Sequence, residues 1–189
     1  MPIEPTALQT DRLLIRPFEW ADIDDYYQCH NDQAFRRLLD EPYPYRRKDA
    51  ERDLGWVISK SWDKNPYFAL VLNKIVVGHA DLEIGLGGLG EAAPGIADLS
   101  YALARPYWGQ GLMPEACRAI MAYAFPTYNL VKITAVTTVE NRPSWRVMEK
   151  LGMKREGLFR QHGVGGNGQR ADQVVYGFLR GEYEAWFKP

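Results

Sequence analysis

The chain has 189 residues, of which 46% are hydrophobic and 25% are charged, and its formal net charge is −1. This composition is typical of a globular protein and excludes a disordered chain, which would lack the apolar surface to offset its conformational entropy. It also excludes a membrane-spanning protein, because no apolar stretch approaches the roughly 20 residues that a bilayer requires, and it argues against a nucleic-acid-binding protein, which normally carries a basic excess.

The length suits one compact domain, and we expect a single domain over residues 1–189. Cys29 and Cys117 lie far apart and outside any Cys-x-x-Cys pattern, which argues against a disulfide framework and against a cysteine-rich zinc site. Because no secretory signal is recognisable near the N-terminus, we expect a cytoplasmic protein.

The N-terminal half predicts a short strand, several helices and a β-hairpin. Asp22 and Asp32 are candidate N-caps of the first two helices. In chain order, the predicted elements are a strand at 13–17, helices through residues 26–27 and 35–39, a helical segment at 47–62, and strands at Tyr67–Leu72 and 75–84 that meet in a turn at Asn73-Lys74.

The C-terminal half predicts alternating strands and helices after a glycine-rich loop. Pro114 falls in the first turn of one helix, where its missing N–H costs nothing, and Gly152 ends another. The predicted elements are a loop at 85–95, strands at 96–104 and 131–139, helices at 113–128 and 143–151, and a closing hairpin of 153–162 and 171–179. This order predicts an α/β or α+β domain with a mixed sheet.

Two glycine runs, at 85–90 and 163–168, match the Gly-x-Gly-x-x-Gly dinucleotide fingerprint. That fingerprint binds a dinucleotide only where the loop opens a helix. Here a strand follows each run, so we interpret both as hairpin connections.

The most informative stretch is 101–116, where a strand ends, a tight turn with Gly109 and Gly111 follows, and a helix begins. Such a turn exposes backbone N–H groups, and the helix N-terminus adds unpaired donors and a partial positive charge. Together they can bind a pyrophosphate without a lysine, and no Walker A lysine follows Gly111. Spacing alone is equally compatible with a turn that needs two glycines for its geometry.

A second segment, residues 141–153, follows the next predicted strand. Asn141 lies at the end of that strand, where its side-chain amide can pair with an amide of a ligand, and Ser144 lies at the start of the next helix. The alternative is structural: Asn141 makes the turn and Ser144 helps the helix to begin.

These segments resemble the GCN5-related N-acetyltransferases (GNAT), especially the group that includes the ribosomal-protein N-terminal alanine acetyltransferases. The resemblance covers nearly the whole chain, and its strength lies in the order of several motifs that are weak alone. The motifs are Thr10-Asp-Arg-Leu-Leu-Ile-Arg-Pro17, Pro106-Tyr-Trp-Gly-Gln-Gly111, Glu115-Ala116, Tyr123-Ala-Phe125, Asn141-x-x-Ser144, Glu149-Lys-Leu-Gly152, Glu156-Gly157 and the strand that contains Asp172 and Tyr176.

The resemblance implies a mixed, mostly antiparallel central sheet that is splayed at the cofactor strand and flanked by helices. It also implies acetyl-CoA as cosubstrate, with its pyrophosphate on the turn at 108–114, its pantetheine arm along 101–103 and hydrogen-bonded to Asn141, and its thioester near Ser144. The residues implied to bind it are Tyr101, Ala102, Leu103, Trp108, Gly109, Gln110, Gly111, Leu112, Met113, Asn141 and Ser144.

Two departures from the family pattern matter. Met148 stands where many relatives have a tyrosine general acid, and a methionine cannot donate a proton. The resemblance to the alanine-acetylating group then implies that Ser144 protonates the leaving thiolate. Pro106 stands where many relatives have glutamine or arginine, so the backbone alone would hold the pyrophosphate.

The general base is sought among acidic residues on neighbouring strands. His79, Asp81 and Glu83 alternate along one strand and share a face, and Asp98 lies on the next strand. From the family's placement of the base we favour Glu83 and then Asp98, although an exposed polar face or cross-strand pairing explains the same pattern. A metal site is disfavoured because no further ligands are evident. The backbone N–H of Leu103 is the expected oxyanion donor.

The expected reaction is direct attack of a primary amine on the thioester of acetyl-CoA. The acceptor is either a protein N-terminus or a small amine, and an α-amino group, with a pKa of about 8, needs less help from a base than a lysine-type amine of about 10.4. The alternative is a CoA-binding regulatory or interaction module with little turnover. Strand edges near the C-terminus also predict a homodimer.

Overall fold

The computed structural model describes residues 2–38, 43–165 and 168–186. The helices are α1 (Ile23–His30), α2 (Gln33–Leu38), α3 (Arg47–Ile58), α4 (Leu112–Thr127), α5 (Arg142–Lys150) and α6 (Arg180–Ala185). The strands are β1 (Leu8–Gln9), β2 (Leu14–Pro17), β3 (Tyr67–Leu72), β4 (Ile75–Leu86), β5 (Ala92–Leu103), β6 (Lys132–Thr138), β7 (Lys154–Val164) and β8 (Arg170–Leu179). Among the described residues, no helix is both long and apolar enough to cross a bilayer.

The strands form one sheet in the order β1-β2-β3-β4-β5-β6-β8-β7, and all neighbours are antiparallel except β5 and β6. These two parallel strands are paired only where Ile96, Ala97 and Asp98 face Lys132–Thr134. Beyond Asp98 both strands continue without pairing to each other, so the sheet opens between them. This opening confirms the splayed, mixed sheet that the resemblance implied.

Apolar clusters cover both faces of the sheet. Phe68 and Leu70 belong to the cluster around α4, whereas Ala69, which lies between them, belongs to the cluster around α1 and α3. Because successive side chains of a strand point to opposite faces, the two groups of helices lie on opposite sides of the sheet. We refer below to the α4 face and the α1/α3 face.

Most predicted elements are confirmed, with boundaries shifted by a few residues. The hairpin of β3 and β4 turns at Asn73 and Lys74, whose φ angles of 51° and 69° suit a two-residue turn. Asp32 caps α2 as predicted, because its Oδ1 accepts the backbone N–H of Phe35 at 2.8 Å. Leu39, predicted within that helix, lies outside the described residues.

Asp22 occupies the N-cap position of α1, but its side chain does not cap the helix. Its carboxylate forms instead a bidentate salt bridge with Arg16, with N–O distances of 2.7 and 2.8 Å, and accepts a hydrogen bond from the backbone N–H of Glu19 at 2.9 Å. The predicted cap is therefore wrong. The Asp22 carboxylate binds Arg16 on β2 instead, and a local sequence pattern does not reveal this pairing.

Other predicted boundaries are also wrong. The segment predicted helical over 47–62 ends at Ile58, because the chain soon lies beside β4, where the N–H of Ile84 donates to the carbonyl of Lys64 at 2.7 Å. The loop predicted at 85–95 is shorter, since β4 runs to Leu86 and β5 begins at Ala92. β1, of two residues, is too short to show a period, and α6, of six residues, was not predicted either.

Candidate active site

The turn before α4 presents bare backbone. Gly111 is the N-cap of α4 with a φ of 78°, and Gly109 has a φ of 75°, a region that residues with a side chain rarely adopt. A Cβ added to Gly109 would meet nothing within 4 Å, so the space above the turn is open. Among the described residues, the N–H of Gly111 has no acceptor, and Leu112 and Met113 begin the helix, where N–H groups lack intrahelical partners.

The end of β5 also presents unpaired backbone. The N–H of Ala104 donates to the carbonyl of Val77 on β4 at 2.9 Å. Because antiparallel residues alternate between bonded and non-bonded pairs, the N–H groups of Tyr101 and Leu103 point away from β4, toward the opening beside β6. The indole N–H of Trp108 donates to the carbonyl of Leu103, and the N–H of Leu103 has no acceptor among the described residues.

Asn141 and Ser144 organise the first turn of α5. Asn141 is the N-cap, and its Oδ1 accepts the backbone N–H of Ser144 at 3.3 Å. The structural interpretation of this pair is therefore correct. It leaves the Asn141 Nδ2 group without an acceptor among the described residues, so this amide can still donate to a ligand.

Tyr101 and Ser144 are joined by two hydrogen bonds across the opening. The Tyr101 hydroxyl donates to the backbone carbonyl of Ser144 at 2.8 Å, and the Ser144 Oγ donates to the Tyr101 hydroxyl oxygen at 3.2 Å. Burial raises the pKa of the Tyr101 phenol far above its usual range, so the phenol stays neutral. The serine hydroxyl is thereby held beside the end of β5.

The end of β5, the turn before α4 and α5 with its N-cap enclose a cleft of about 380 Å³. All the predicted cofactor residues except Gln110 line it: Tyr101, Ala102, Leu103, Trp108, Gly109, Gly111, Leu112, Met113, Asn141 and Ser144. The side chain of Gln110 folds back, and its Nε2 donates to the carbonyl of Pro106 at 3.0 Å. The predicted set, drawn from distant parts of the chain, thus comes together in one place.

Several lining residues were not predicted. Phe35 of α2 and Tyr107 complete the walls, and one face of α5 contributes Pro143, Arg146, Val147 and Lys150. Their spacing from Pro143 is that of one helical face, so the periodicity of α5 could have identified Arg146, Val147 and Lys150 once Pro143 was placed. Met148 does not line the cleft; it is 1% exposed and packs in the core cluster.

The candidate bases lie outside this cleft, on the α1/α3 face. Glu83 and Asp98 face each other across β4 and β5, and Asp81 faces Ser100 on the same side. Asp98 is the last residue of β5 that is paired with β6, about 10 Å along the strand from Tyr101. Glu83 is exposed and lies one strand farther from the opening.

Two of these carboxyl groups hold their protons more tightly than usual. Burial raises the pKa of Asp98 to about 7; Glu83 adds to this shift, and the Thr134 hydroxyl, which donates to Asp98 Oδ1 at 3.0 Å, opposes it. Burial, together with Glu83 and Asp98, raises the pKa of Asp81 to about 8. Perturbed groups of this kind cluster at functional sites.

His79 belongs to the packed interior rather than to this acidic group. Its ring stacks on His30 of α1 at a centroid distance of 5.3 Å, and burial lowers its pKa to about 3. The residue therefore stays neutral at physiological pH and fills the contact between α1 and β4.

The chain is similar to known acetyltransferases in sequence and in fold. Residues 12–154 match the family model described as an acetyltransferase (GNAT) domain. The N-acetyltransferase YnaD of Bacillus subtilis is 30% identical over 178 residues, which cover 93% of this chain and 98% of the relative. The structure of a GNAT acetyltransferase from Bacillus anthracis matches with a TM-score of 0.76 and 28% identity, over 92% of this chain and 98% of that one.

A more distant structure is that of spermidine N-acetyltransferase from Vibrio cholerae, solved in complex with CoA and spermine. It matches with a TM-score of 0.75 and 20% identity, over 93% of this chain and 99% of that one. The match to the family model and the similarity to the sequence relatives show that the chain belongs to the GNAT family. The protein is an N-acetyltransferase whose acetyl donor is acetyl-CoA.

Proposed function

We propose that the cleft between β5 and α5 binds acetyl-CoA, with its diphosphate on the turn before α4 and its pantetheine arm along the end of β5. The observation that carries this proposal is the opening of the sheet: in the described part of the chain, the N–H groups of Tyr101 and Leu103 and the side-chain amide of Asn141 have no acceptor there. An arm that contains amides can pair with an open strand edge as another strand would.

The charge along the cleft supports the same orientation. Arg146 and Lys150 line it one helical turn apart, and among the described residues neither forms an ion pair. The N-terminus of α4 contributes a partial positive charge to the same space. A ligand that carries several phosphate groups is therefore favoured over a neutral one.

Ser144 is the proposed proton donor of the reaction. The cosubstrate supplies a thioester; when the amine nitrogen bonds to its carbonyl carbon, the carbon–sulfur bond breaks and the thiolate needs a proton. Ser144 lines the cleft, and its hydroxyl is held by a hydrogen bond to Tyr101. It gives its proton to the sulfur and regains one from solvent, while the proton of the attacking amine goes to the base. The Leu103 N–H is placed to donate to the carbonyl oxygen as negative charge develops there.

Asp98 is the proposed general base, acting through an ordered water because of its distance from Tyr101. It lies where β5 and β6 separate, whereas Glu83 is one strand away, so we now place Asp98 ahead of Glu83. A base with a pKa near 7 is matched to the work of taking a proton from an ammonium group at neutral pH.

The acceptor is proposed to be a primary amine that carries further positive charge. Asp81, Glu83 and Asp98 share the α1/α3 face, and the nearby ammonium of Lys60 is stacked on the Trp56 ring at 3.5 Å. At pH 7 Asp81, with a pKa of about 8, is mostly protonated, and Asp98, with a pKa of about 7, is about half ionised. The negative charge of this face therefore grows as the pH rises, and it attracts a polyamine or a basic peptide N-terminus and repels an acidic one.

A thiol-release assay with a panel of acceptors tests this assignment. With acetyl-CoA held constant, we expect kcat/KM for spermidine and for a lysine-rich peptide with a free N-terminus to exceed that for a matched glutamate-rich peptide by about tenfold or more, and the difference to shrink at high salt. Equal rates for both peptides would contradict the acceptor class. Cofactor binding without thiol release for any acceptor would instead favour the module with little turnover.

Asp98→Asn should lower activity and raise stability. We expect kcat/KM to fall about 100-fold and its rise with pH near 7 to disappear, because the amide cannot accept a proton. The raised pKa means that the folded protein retains a proton that the unfolded chain releases, so wild-type stability falls as pH rises from about 4 to 7. Asparagine removes this loss, and thermal unfolding at pH 8 should occur at a higher temperature than in the wild type. An unchanged pH profile would reject Asp98 as the base.

The sequence-based expectations of a homodimer and of a cytoplasmic location stay predictions. The strand β7 is an edge of the sheet and exposes Leu158 and Phe159 by 48% and 37%, which supports association through this edge. Light scattering after size-exclusion chromatography measures the molar mass, and a value near 21.6 kDa would reject the dimer.

A further inference from the structure

The first turn of α4 is tied through Glu115 to the connection between β1 and β2. The Glu115 carboxylate accepts hydrogen bonds from the Thr10 hydroxyl at 2.6 Å, from the Arg12 backbone N–H at 3.1 Å and from the Arg12 Nε at 2.7 Å. Two motifs that lie about a hundred residues apart in sequence thus form one cluster. Nothing in the proposed chemistry uses this cluster.

Arg12 also holds the turn itself. Its Nη1 donates to the backbone carbonyl of Gln110 at 2.9 Å. In a planar trans peptide the carbonyl of one residue and the N–H of the next point in opposite directions. Fixing the Gln110 carbonyl on Arg12 therefore aims the N–H of Gly111 away from the N-terminal strands, on the side where Gly111 lines the cleft.

The charge of Arg12 has a second consequence. A carboxylate in the first turn of α4 would repel a diphosphate bound at the same helix end. Burial favours the neutral form of Glu115, but the hydrogen bonds from Thr10 and Arg12 outweigh it and lower the pKa of this group, so Glu115 is ionised. The ion pair of 2.6 Å with Arg12 neutralises that charge.

We propose that Arg12 is a positioning residue of the acetyl-CoA site: it sets the orientation of the Gln110–Gly111 peptide and neutralises Glu115, and it does so without contacting the reacting atoms. This inference rests on the proposed binding of the diphosphate by the turn. Pro106 stands where many relatives have glutamine or arginine, so no side chain at that position contacts the phosphates. The role proposed for Arg12 explains how the backbone of the turn is held in place without such a side chain.

The test compares two acetyl donors, acetyl-CoA and S-acetylpantetheine, of which only the first contains a diphosphate. For Arg12→Gln we expect the KM for acetyl-CoA to rise about tenfold, the effect of losing one charge-assisted hydrogen bond, with kcat little changed. The KM for S-acetylpantetheine should stay within twofold of the wild type. Arg52→Gln, which removes an exposed arginine paired with Asp49 and Asp53, is the matched control and should change neither value.

Further variants separate the two roles of Arg12. Arg12→Lys keeps the charge but cannot reach both Glu115 and the Gln110 carbonyl with one planar group, so the KM for acetyl-CoA should stay above the wild-type value. Adding Glu115→Gln to Arg12→Gln should rescue affinity only in part. Full rescue by either change, or an equal loss for both donors, would overturn the proposal.

The outcome also distinguishes this inference from the proposed function. If Gly109→Val weakens acetyl-CoA binding but Arg12→Gln does not, the turn binds the diphosphate and only the role of Arg12 is wrong. If neither substitution affects acetyl-CoA, the assignment of the turn itself is wrong. Circular dichroism of each variant establishes that it is folded.

Discussion

Replacing Ser144 by alanine should lower kcat by about 100-fold or more while the KM for acetyl-CoA changes by less than about threefold. The hydroxyl is the proton donor proposed for the departing sulfur, and its loss leaves the thiolate to be protonated by solvent. The backbone groups of the cleft stay in place, because the bonds of the Ser144 N–H to Asn141 and of the Ser144 carbonyl to Tyr101 remain, and only the bond from the Ser144 hydroxyl to Tyr101 is lost. Steady-state kinetics with a saturating acceptor measure both values.

Tyr101→Phe is the control for this substitution. It keeps the serine hydroxyl but removes the group that orients it, so we expect a smaller fall in kcat, of about tenfold. A Ser144→Ala enzyme with wild-type kcat would contradict the proposed acid. Equal losses in both variants would indicate that the orientation of the serine, rather than its presence alone, limits the reaction.

Gly109→Val should weaken acetyl-CoA binding by about 100-fold. A β-branched residue is strained at a φ of 75°, and its side chain would enter the open space above the turn. Both effects move the backbone away from the position at which it can meet a phosphate. Isothermal titration calorimetry with acetyl-CoA measures the change in Kd.

Gly90→Val provides a matched control. Gly90 lies in the connection between β4 and β5, has a φ of 81°, and a Cβ there would also meet nothing within 4 Å. The substitution imposes similar backbone strain away from the cleft, so it should lower thermal stability but leave the Kd for acetyl-CoA unchanged. A larger loss of binding at Gly90 than at Gly109 would show that the rejected glycine fingerprint, and not the turn before α4, is the phosphate site.

Local patterns were sufficient for much of the sheet and for the turn that lines the cleft. The β-branched and apolar runs predicted β3, β4 and β6, and the glycines at 109 and 111 marked the turn before α4, because backbone conformations with positive φ favour glycine at short range. Asn141 and Ser144 were recognised for the same reason, since a cap and its helix lie within four residues of each other. The splay of the sheet came from the family resemblance alone.

The contacts that organise the site depend on tertiary structure. Tyr101 was expected to act through its backbone, and its hydroxyl meets Ser144 only because β5 and α5 face each other across the opening. The link from Arg12 to Glu115 joins two motifs that sequence reasoning treated separately. Asp22 was predicted to cap a helix, but its carboxylate forms a salt bridge with Arg16 instead. In each case the partner lies on another element, where no periodic pattern identifies it.

The central claim is that main-chain N–H groups before α4 hold the diphosphate of acetyl-CoA. Two-dimensional ¹H–¹⁵N spectra recorded during a titration with acetyl-CoA test it most directly, because an amide proton that donates to a phosphate shifts downfield. We expect the signals of Gly109, Gly111 and Leu112 to move and to saturate, while that of Gly168, in the connection between β7 and β8, does not. Saturation of the protein with those three signals unmoved would contradict the claim.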